Sequence, residues 1–205
     1  MIRVHHLRVG RSVFTGWLLE ELGLDYELEI YERNAFGRAP EALRAVHPLG
    51  KSPVIEDGGV MLVESGAIAA HLIETYDKDG ALGPSKDDPA ERAAWTQWLH
   101  YAEGSAFAPL LLKLLLSREQ DPKPPLITGF AAGESALHLT YLRDNLGENP
   151  FLLGDRLRGP DFGVTFICQL ADRLGALDAY PTLKAYLQRN TARPSFVRAM
   201  ERTGG

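Results

Sequence analysis

The sequence predicts an α/β domain at the N-terminus followed by an all-helical domain. Up to residue 76, segments with alternating apolar residues are interleaved with segments whose apolar residues recur every three or four positions. Beyond residue 89 the alternating segments almost vanish. The polar stretch between them, "DKDGALGPSKDDP", is rich in Gly, Pro and Asp, as domain linkers often are. We therefore expect a first domain at residues 1–78, a linker at 79–88 and a helical domain at 89–205.

A β-α-β unit opens the chain. Ile2 and Val4 alternate with polar neighbours and predict the first strand. Phe14 and Trp17 begin a helical pattern that ends at Gly23, a residue that tolerates the positive φ found after many helices. The segment "YELEIYE" alternates again and predicts the second strand.

The rest of the first domain adds a short helix, a hairpin and a longer helix. "APEALRAV" has Pro40 near a helix start. "SPVIED" and "VMLVE" flank Asp57-Gly58-Gly59, a strong hairpin signal, and "SGAIAAHLIETY" has one apolar face. The order βαβαββα predicts a four-stranded mixed sheet with helices on both faces, the thioredoxin-like arrangement.

The second domain shows helical spacing in several segments, among them "ALHLTYLRDNLG", "DFGVTFICQLADRLG" and "PTLKAYLQRN". The longest apolar run, "FAPLLLKLLL", is too short to span a bilayer and contains Pro109 and Lys113. It predicts a buried helix, and we expect no membrane segment.

Composition narrows the class of protein. Hydrophobic residues make up 45% and charged residues 24% of the 205, which is typical of a folded globular chain. Acidic residues outnumber basic ones, 27 to 22, and no basic stripe is visible, so nucleic acid is not an expected partner. Cys168 is the only cysteine and the N-terminus lacks the pattern of a signal peptide, which together favour the reducing cytoplasm.

The sequence offers no metal or nucleotide site. No two of the six histidines stand at the i, i+4 spacing of a helical ligand pair. His5 and His6 are neighbours on a strand and face opposite sides of the sheet. P-loop, dinucleotide-binding and GxSxG motifs are absent. We therefore expect neither a metal nor a nucleotide cofactor.

Two loops of the first domain could hold an extended, anionic ligand. In "HPLGKSPVI", Pro53 stands at the start of a strand, and a cis Ser52-Pro53 bond would turn the backbone of Ser52 toward a peptide-like ligand. In "VESGAI", Glu64 and Ser65 lie where a strand ends and a helix begins, so helix amides could bind a carboxylate. The simpler alternatives are a tight turn at Pro53 and a helix cap at Ser65.

The order of "VHHLRVGRSVFTGWLLEELGLDYEL", "APEALRAVHPLGKSPVIEDGG" and "LVESGAIAAHLIETY" resembles the N-terminal domain of cytosolic glutathione transferases. It is most similar to the fungal and bacterial group whose first loop reads HxLxxSRSxR. "QWLHYAEG", "PFLLGDRLRGPDFGVTF" and "YPTLKAYLQRNTARPSF" resemble the helical domain of that family. The resemblance implies glutathione transferase architecture and a cytoplasmic homodimer that acts in detoxification. Its reaction would be attack of the glutathione thiolate on an apolar electrophile or on a peroxide.

The resemblance also implies which residues bind glutathione. By position, Ser52 before the cis Pro53 corresponds to the residue that pairs with the cysteine of glutathione. Lys51 corresponds to the lysine that reaches the glycyl carboxylate. Glu64 and Ser65 correspond to the pair that holds the γ-glutamyl group.

The chain departs from the family pattern at three places. Gly10 occupies the position of the usual loop hydroxyl, and Phe14 that of the final arginine of the pattern. In the second domain Arg158 replaces the Ser/Thr of a capping box, so that Asp161 is expected to lack its reciprocal partner.

A hydroxyl matters because a thiol titrates near 8.5 and a donor to sulfur lowers its pKa. Here Ser12 and the amides at the start of the first helix could supply that donor, and Arg11 a nearby positive charge. Alternatively, Ser12 caps the helix and Arg11 is a solvated surface residue.

The apolar co-substrate is expected between the domains, beside a helix with Trp98, Tyr101 and Phe107, although plain core packing is the alternative for these aromatics. Gly10 keeps a second function open: a glutathione-binding or interaction module with little activity. Thiol-disulfide exchange is not expected, because the first loop contains no cysteine.

Overall fold

The computed structural model describes residues 1–204 and divides them into two compact units. Unit 1 comprises Met1–Gly80 together with the chain from Thr191 onward, and unit 2 comprises Ala81–Asn190. The sequence assigned everything from 89 to 205 to one helical domain. The structure instead groups the last helix with unit 1, because that helix packs on the first helix of the chain.

Unit 1 is built on a four-stranded mixed sheet in the order β2-β1-β3-β4. β1 (Ile2–Leu7) pairs in parallel with β2 (Tyr26–Tyr31) and antiparallel with β3 (Val54–Asp57). β3 pairs antiparallel with β4 (Val60–Val63) across the predicted hairpin. The predicted thioredoxin-like fold class is confirmed.

Nine α-helices lie within residues 1–204. They are, in chain order, α1 (Ser12–Glu21), α2 (Glu41–Val46), α3 (Ser65–Tyr76), α4 (Pro89–Tyr101), α5 (Phe107–Leu116), α6 (Pro125–Leu146), α7 (Gly159–Arg173), α8 (Pro181–Thr191) and α9 (Pro194–Thr203). A π-helical turn, Ala102–Ala106, joins α4 to α5.

α1 lies on the sheet and is covered by α9. Trp17 is fully buried, its ring meets Phe196 edge to face at 5.4 Å, and its Nε1 donates to Ser195 Oγ at 3.1 Å. At the end of α1, Glu21 pairs with Arg193 of the segment that leads into α9. These contacts bury almost the whole of α1, which explains why its sequence pattern is less amphipathic than that of a surface helix.

The core of unit 2 is formed by α4 to α8. It is centred on large buried side chains, which include Trp98, Leu110, Leu142, Ile167 and Tyr186. The apolar run predicted to be a buried helix forms α5, but only Pro109 and Leu110 in it are buried. Among residues 1–204, no helix is long and apolar enough to cross a membrane.

Candidate functional site

The start of α1 has no capping side chain. The first helical hydrogen bonds run from Val13 N to Gly10 O at 3.3 Å and from Phe14 N to Arg11 O at 2.9 Å. The half-buried Arg11 occupies the N-cap position, and its side chain does not cap the helix. The positive end of the helix dipole therefore lies at this turn, where the side chain of the N-cap residue accepts no hydrogen bond.

Gly10 is required by the shape of the first loop. A Cβ atom built at this position would lie 2.5 Å from the carbonyl oxygen of Leu7, well inside van der Waals contact. Arg33 holds the same loop, since its Nη2 donates to Val9 O at 2.9 Å. A hydroxyl side chain therefore cannot be accommodated at position 10 without moving the loop.

Ser12 bonds side chains inside the protein, and its predicted role beside the glutathione sulfur stays a prediction. Its side chain is fully buried, and its Oγ lies 2.7 Å from His6 Nδ1 and 2.8 Å from Ser52 Oγ. The hydroxyl thus bonds two protein side chains. It does not cap α1, because Arg11 is the N-cap residue.

Ser52 and Pro53 directly precede β3 and lie beside the end of β1. The Ser52-Pro53 peptide is cis, as predicted. The pairing of β1 with β3 ends at His5 and Val54. Beyond it, Ser52 Oγ accepts from Leu7 N at 3.1 Å and lies 2.8 Å from His5 O, so the side chain continues the ladder in place of the main chain. The adjacent Lys51 is exposed.

Glu64 and Ser65 lie where β4 leads into α3. Glu64 is the N-cap residue of α3 and has a φ of 71°, the only positive φ of a non-glycine residue within 1–204. Glu64 is exposed, and its side chain does not accept a hydrogen bond from the first amides of α3. The helix begins at Ser65, which is half-buried. A strained backbone at such a junction is a common feature of binding sites.

The aromatic residues predicted to line the co-substrate site lie in unit 2. Trp98 belongs to the core, where it stacks on Tyr141 with ring centroids 5.3 Å apart. Tyr101 is half-buried, and its hydroxyl lies 2.6 Å from His138 Nδ1. Phe107 is half-buried as well. Core packing thus describes Trp98, whereas Tyr101 and Phe107 retain partly accessible rings.

The capping box of α7 survives in a changed form. Asp161 accepts from Arg158 N at 2.8 Å, from Leu152 N at 3.0 Å and from the hydroxyl of Tyr186 at 2.7 Å. The Asp161 amide, which a Ser or Thr side chain would have bonded, donates instead to Arg158 O at 3.0 Å. The reciprocal side-chain acceptor is therefore absent, as the sequence predicted, and the main-chain carbonyl of Arg158 takes its place. The guanidinium of Arg158 pairs with Glu91 at 2.7 Å.

Sequence reasoning did not assign a role to His6. Its side chain is completely buried on the face of β1 that α1 covers, and burial, followed by the charge of Arg8, lowers its pKa to about 4. The adjacent His5 and His6 in the first strand could have indicated a buried imidazole. Which of the two contacts the first helix depends on how that helix packs on the sheet.

A thioredoxin-like unit with a cis-proline before β3, joined to an all-helical unit, defines a protein of the glutathione transferase class. Residues 2–74 match the family model described as glutathione S-transferase, N-terminal domain. The chain is 31% identical to glutathione S-transferase 3 of Schizosaccharomyces pombe over 208 residues, which cover 95% of this chain and 85% of that protein. This chain belongs to the glutathione S-transferase family.

Solved structures agree with this assignment. A glutathione S-transferase from Actinobacillus pleuropneumoniae is 33% identical, with a TM-score of 0.90 over 100% of this chain and 94% of that one. A glutathione transferase homologue from Lodderomyces elongisporus, solved with two glutathione molecules per subunit, has a TM-score of 0.86 at 21% identity, covering 98% of both chains. The second likeness concerns the fold alone.

Proposed function

We propose that this glutathione transferase binds glutathione in unit 1 and transfers its thiolate to a small apolar electrophile or reduces a peroxide. One observation carries the proposal. The side chain of Ser52, and not its main chain, bonds the last residues of β1. The main chain of Ser52 is thereby left to pair with an extended peptide-like ligand such as glutathione.

The two ends of glutathione are assigned to charged and helix-terminal groups. Lys51, exposed next to Ser52, supplies a positive charge for the glycyl carboxylate. Ser65 and the first amides of α3 bind the γ-glutamyl carboxylate, since the dipole of the helix favours an anion at that end. Glu64 provides a carboxylate for the α-amino group of the γ-glutamyl residue.

The thiolate is assigned to the start of α1. Because Ser12 is buried, the donors to sulfur are backbone amides of the first turn, supported by the charge of Arg11. A thiol that titrates near 8.5 in water becomes more acidic where amides and a positive charge favour its anion. Tyr101 and Phe107 of unit 2 are proposed to contact the apolar co-substrate.

A binding module with little catalytic activity is the second candidate. It was considered because the loop at Gly10 leaves no room for the usual hydroxyl, but the relatives of this chain are named glutathione S-transferases and do not favour it. Disulfide exchange through a protein thiol has no support, since Cys168 is fully buried and burial raises the pKa of its thiol to about 12.

Homodimerisation in the cytoplasm and a role in detoxification complete the proposal. Apolar side chains exposed on the edge strand β4 and on α6 support self-association. They are Val60, Met61, Leu126, Phe130 and Leu137. Sedimentation equilibrium of wild type and of Phe130→Ser tests the dimer, and unchanged association in the variant would exclude the α6 surface.

The experiment that separates the two functions uses wild-type protein. Calorimetry measures glutathione binding, and the ultraviolet absorbance of the thiolate is followed across pH. Turnover is measured with a panel of aromatic halides, unsaturated carbonyl compounds and organic peroxides. Binding with a lowered thiol pKa and turnover supports the enzyme. Binding without either result leaves the binding module, and no binding excludes both.

A further inference from the structure

A chain of three polar side chains lies behind the proposed thiolate site. His6 Nδ1 is 2.7 Å from Ser12 Oγ, which is 2.8 Å from Ser52 Oγ. His6 and Ser12 are fully buried, and Ser52 is half-buried. The three residues come from β1, from the first turn of α1 and from the segment before β3. The chain therefore links the two backbone segments to which the proposed function assigns the cysteinyl part of glutathione.

The hydrogen bonds that link His6, Ser12 and Ser52 can run in either of two directions. A neutral imidazole has one nitrogen that donates and one that accepts. If His6 Nδ1 accepts, Ser52 donates to Ser12 and Ser12 donates to His6. If His6 Nδ1 donates, Ser12 donates to Ser52, and Ser52 donates to His5 O, which lies 2.8 Å away. In both cases the imidazole sets the orientation of the Ser12 hydroxyl, whereas the Ser52 hydroxyl can also turn to His5 O.

We propose that His6 is a positioning residue for the glutathione thiolate. Through Ser12 and Ser52 it fixes the start of α1 relative to the main chain of Ser52, two segments separated by 40 residues in sequence. Amides from α1 stabilise the sulfur only while the cysteinyl backbone stays paired with Ser52, so a small relative displacement weakens both contacts at once. His6 itself touches no substrate. This inference rests on the proposed function.

His5 provides a matched control on the other face of the same strand. It is almost as buried as His6, at 3% exposure against 0%. Its Nδ1 lies 2.9 Å from the hydroxyl of Tyr31, and its Nε2 lies 2.8 Å from Glu56 Oε1. A His5→Leu variant removes two hydrogen bonds of comparable geometry without touching the side chains of Ser12 or Ser52.

The test compares His6→Leu, His6→Asn and His5→Leu with wild type in the full-length protein. For His6→Leu we expect the midpoint of the bound thiolate absorbance to rise by about half a pH unit or more. Its kcat should fall about tenfold, while the Kd for glutathione changes less. His6→Asn places an amide atom near the position of Nδ1 and should restore the wild-type midpoint. His5→Leu should leave that midpoint unchanged.

A folded His6→Leu protein with the wild-type midpoint and kcat overturns the inference. Should His6→Leu not fold, His6→Asn is compared with His6→Gln, whose amide lies nearer the position of Nε2. Equal midpoints in that pair overturn the inference, and a higher midpoint in His6→Gln supports it. Wild type that binds no glutathione overturns the proposed function and this inference with it, a result visible before any variant is made.

Discussion

Helices α1 and α3 of unit 1 begin differently from helices α4 and α7 of unit 2. In unit 1, the side chains of the N-cap residues of α1 and α3 accept no hydrogen bond from the helix amides. In unit 2, Asp88 accepts from two amides of α4, and Asp161 accepts from the amide that precedes α7. Amides that lack a capping side chain can bind an anion. We therefore expect the starts of α1 and α3 to affect ligand binding and those of α4 and α7 to affect stability.

The largest effect should come from removing the internal acceptor at α7. Asp161→Ala leaves two amides and the hydroxyl of Tyr186 without their acceptor in a fully buried place. We expect the free energy of unfolding to fall by about 3 to 5 kcal/mol, measured by urea denaturation. Asp178→Ala, at an exposed pair with Lys184, is the control and should change it little. Similar results for both variants would contradict the role of Asp161.

The buried imidazole behind α1 should make stability depend on pH. The folded pKa of His6 is lowered to about 4 from an ordinary value of 6.5. Its contribution is therefore complete above about pH 6.5 and is lost as the pH falls through about 4, a change of about 3 kcal/mol. The difference in unfolding free energy between wild type and His6→Asn, measured from pH 7 to 4, should show this loss. A constant difference would contradict it.

Adding a serine to the first loop should harm the start of α1. Gly10→Ser places a Cβ against Leu7 O, so we expect lower stability by about 1 to 3 kcal/mol and weaker glutathione binding, not a gain of activity. Gly133→Ser is the control, because a Cβ there meets nothing within 4 Å. Higher turnover in Gly10→Ser would show that the loop adapts to the hydroxyl.

The start of α3 should matter for binding more than for folding. Ser65→Ala removes a donor proposed for the γ-glutamyl carboxylate, and we expect glutathione affinity to fall about fivefold to tenfold. Ser117→Ala, at the end of α5, serves as control and should bind like wild type. Calorimetry on both variants decides the assignment, and an unchanged affinity in Ser65→Ala would remove the proposed anion site.

The smallest effect is expected at α4. In contrast to α3, we expect a change at this helix start to affect stability and not glutathione binding. Asp88→Ala removes acceptors for the amides of Ala90 and Glu91 and should lower stability by about 1 kcal/mol. Glutathione affinity at a temperature where the protein is folded should not change. A loss of affinity would mean that this helix start also affects the ligand.

Local sequence patterns predicted the order of the elements well. The hairpin at Asp57-Gly58-Gly59 and the helix after Ser65 lie where turn and periodicity signals indicated. These signals depend only on neighbouring residues. The alternation expected of β1 failed at His5 and His6, both buried, because a central strand covered on both faces has no solvent side.

The site was predictable only in part. Residue spacing located Ser52, Glu64 and Ser65, whose binding roles remain predictions. The direction of the Ser12 side chain was not predictable, since it depends on how α1 lies on the sheet. Likewise, the spacing identified Gly10 as a departure, but the reason is the nearby carbonyl of Leu7, which only the backbone geometry reveals.

The association of α9 with α1 has a consequence for biosynthesis. Trp17 is fully buried and bonded to Ser195, a residue made 178 positions later. During translation the sheet and its first helices leave the ribosome long before the segment that covers this indole. The nascent N-terminal unit therefore exposes an apolar helix face until Ser195 and Phe196 have been made. A stop codon shortly before Arg193 would leave that face uncovered permanently, as a surface for chaperones and proteases to recognise.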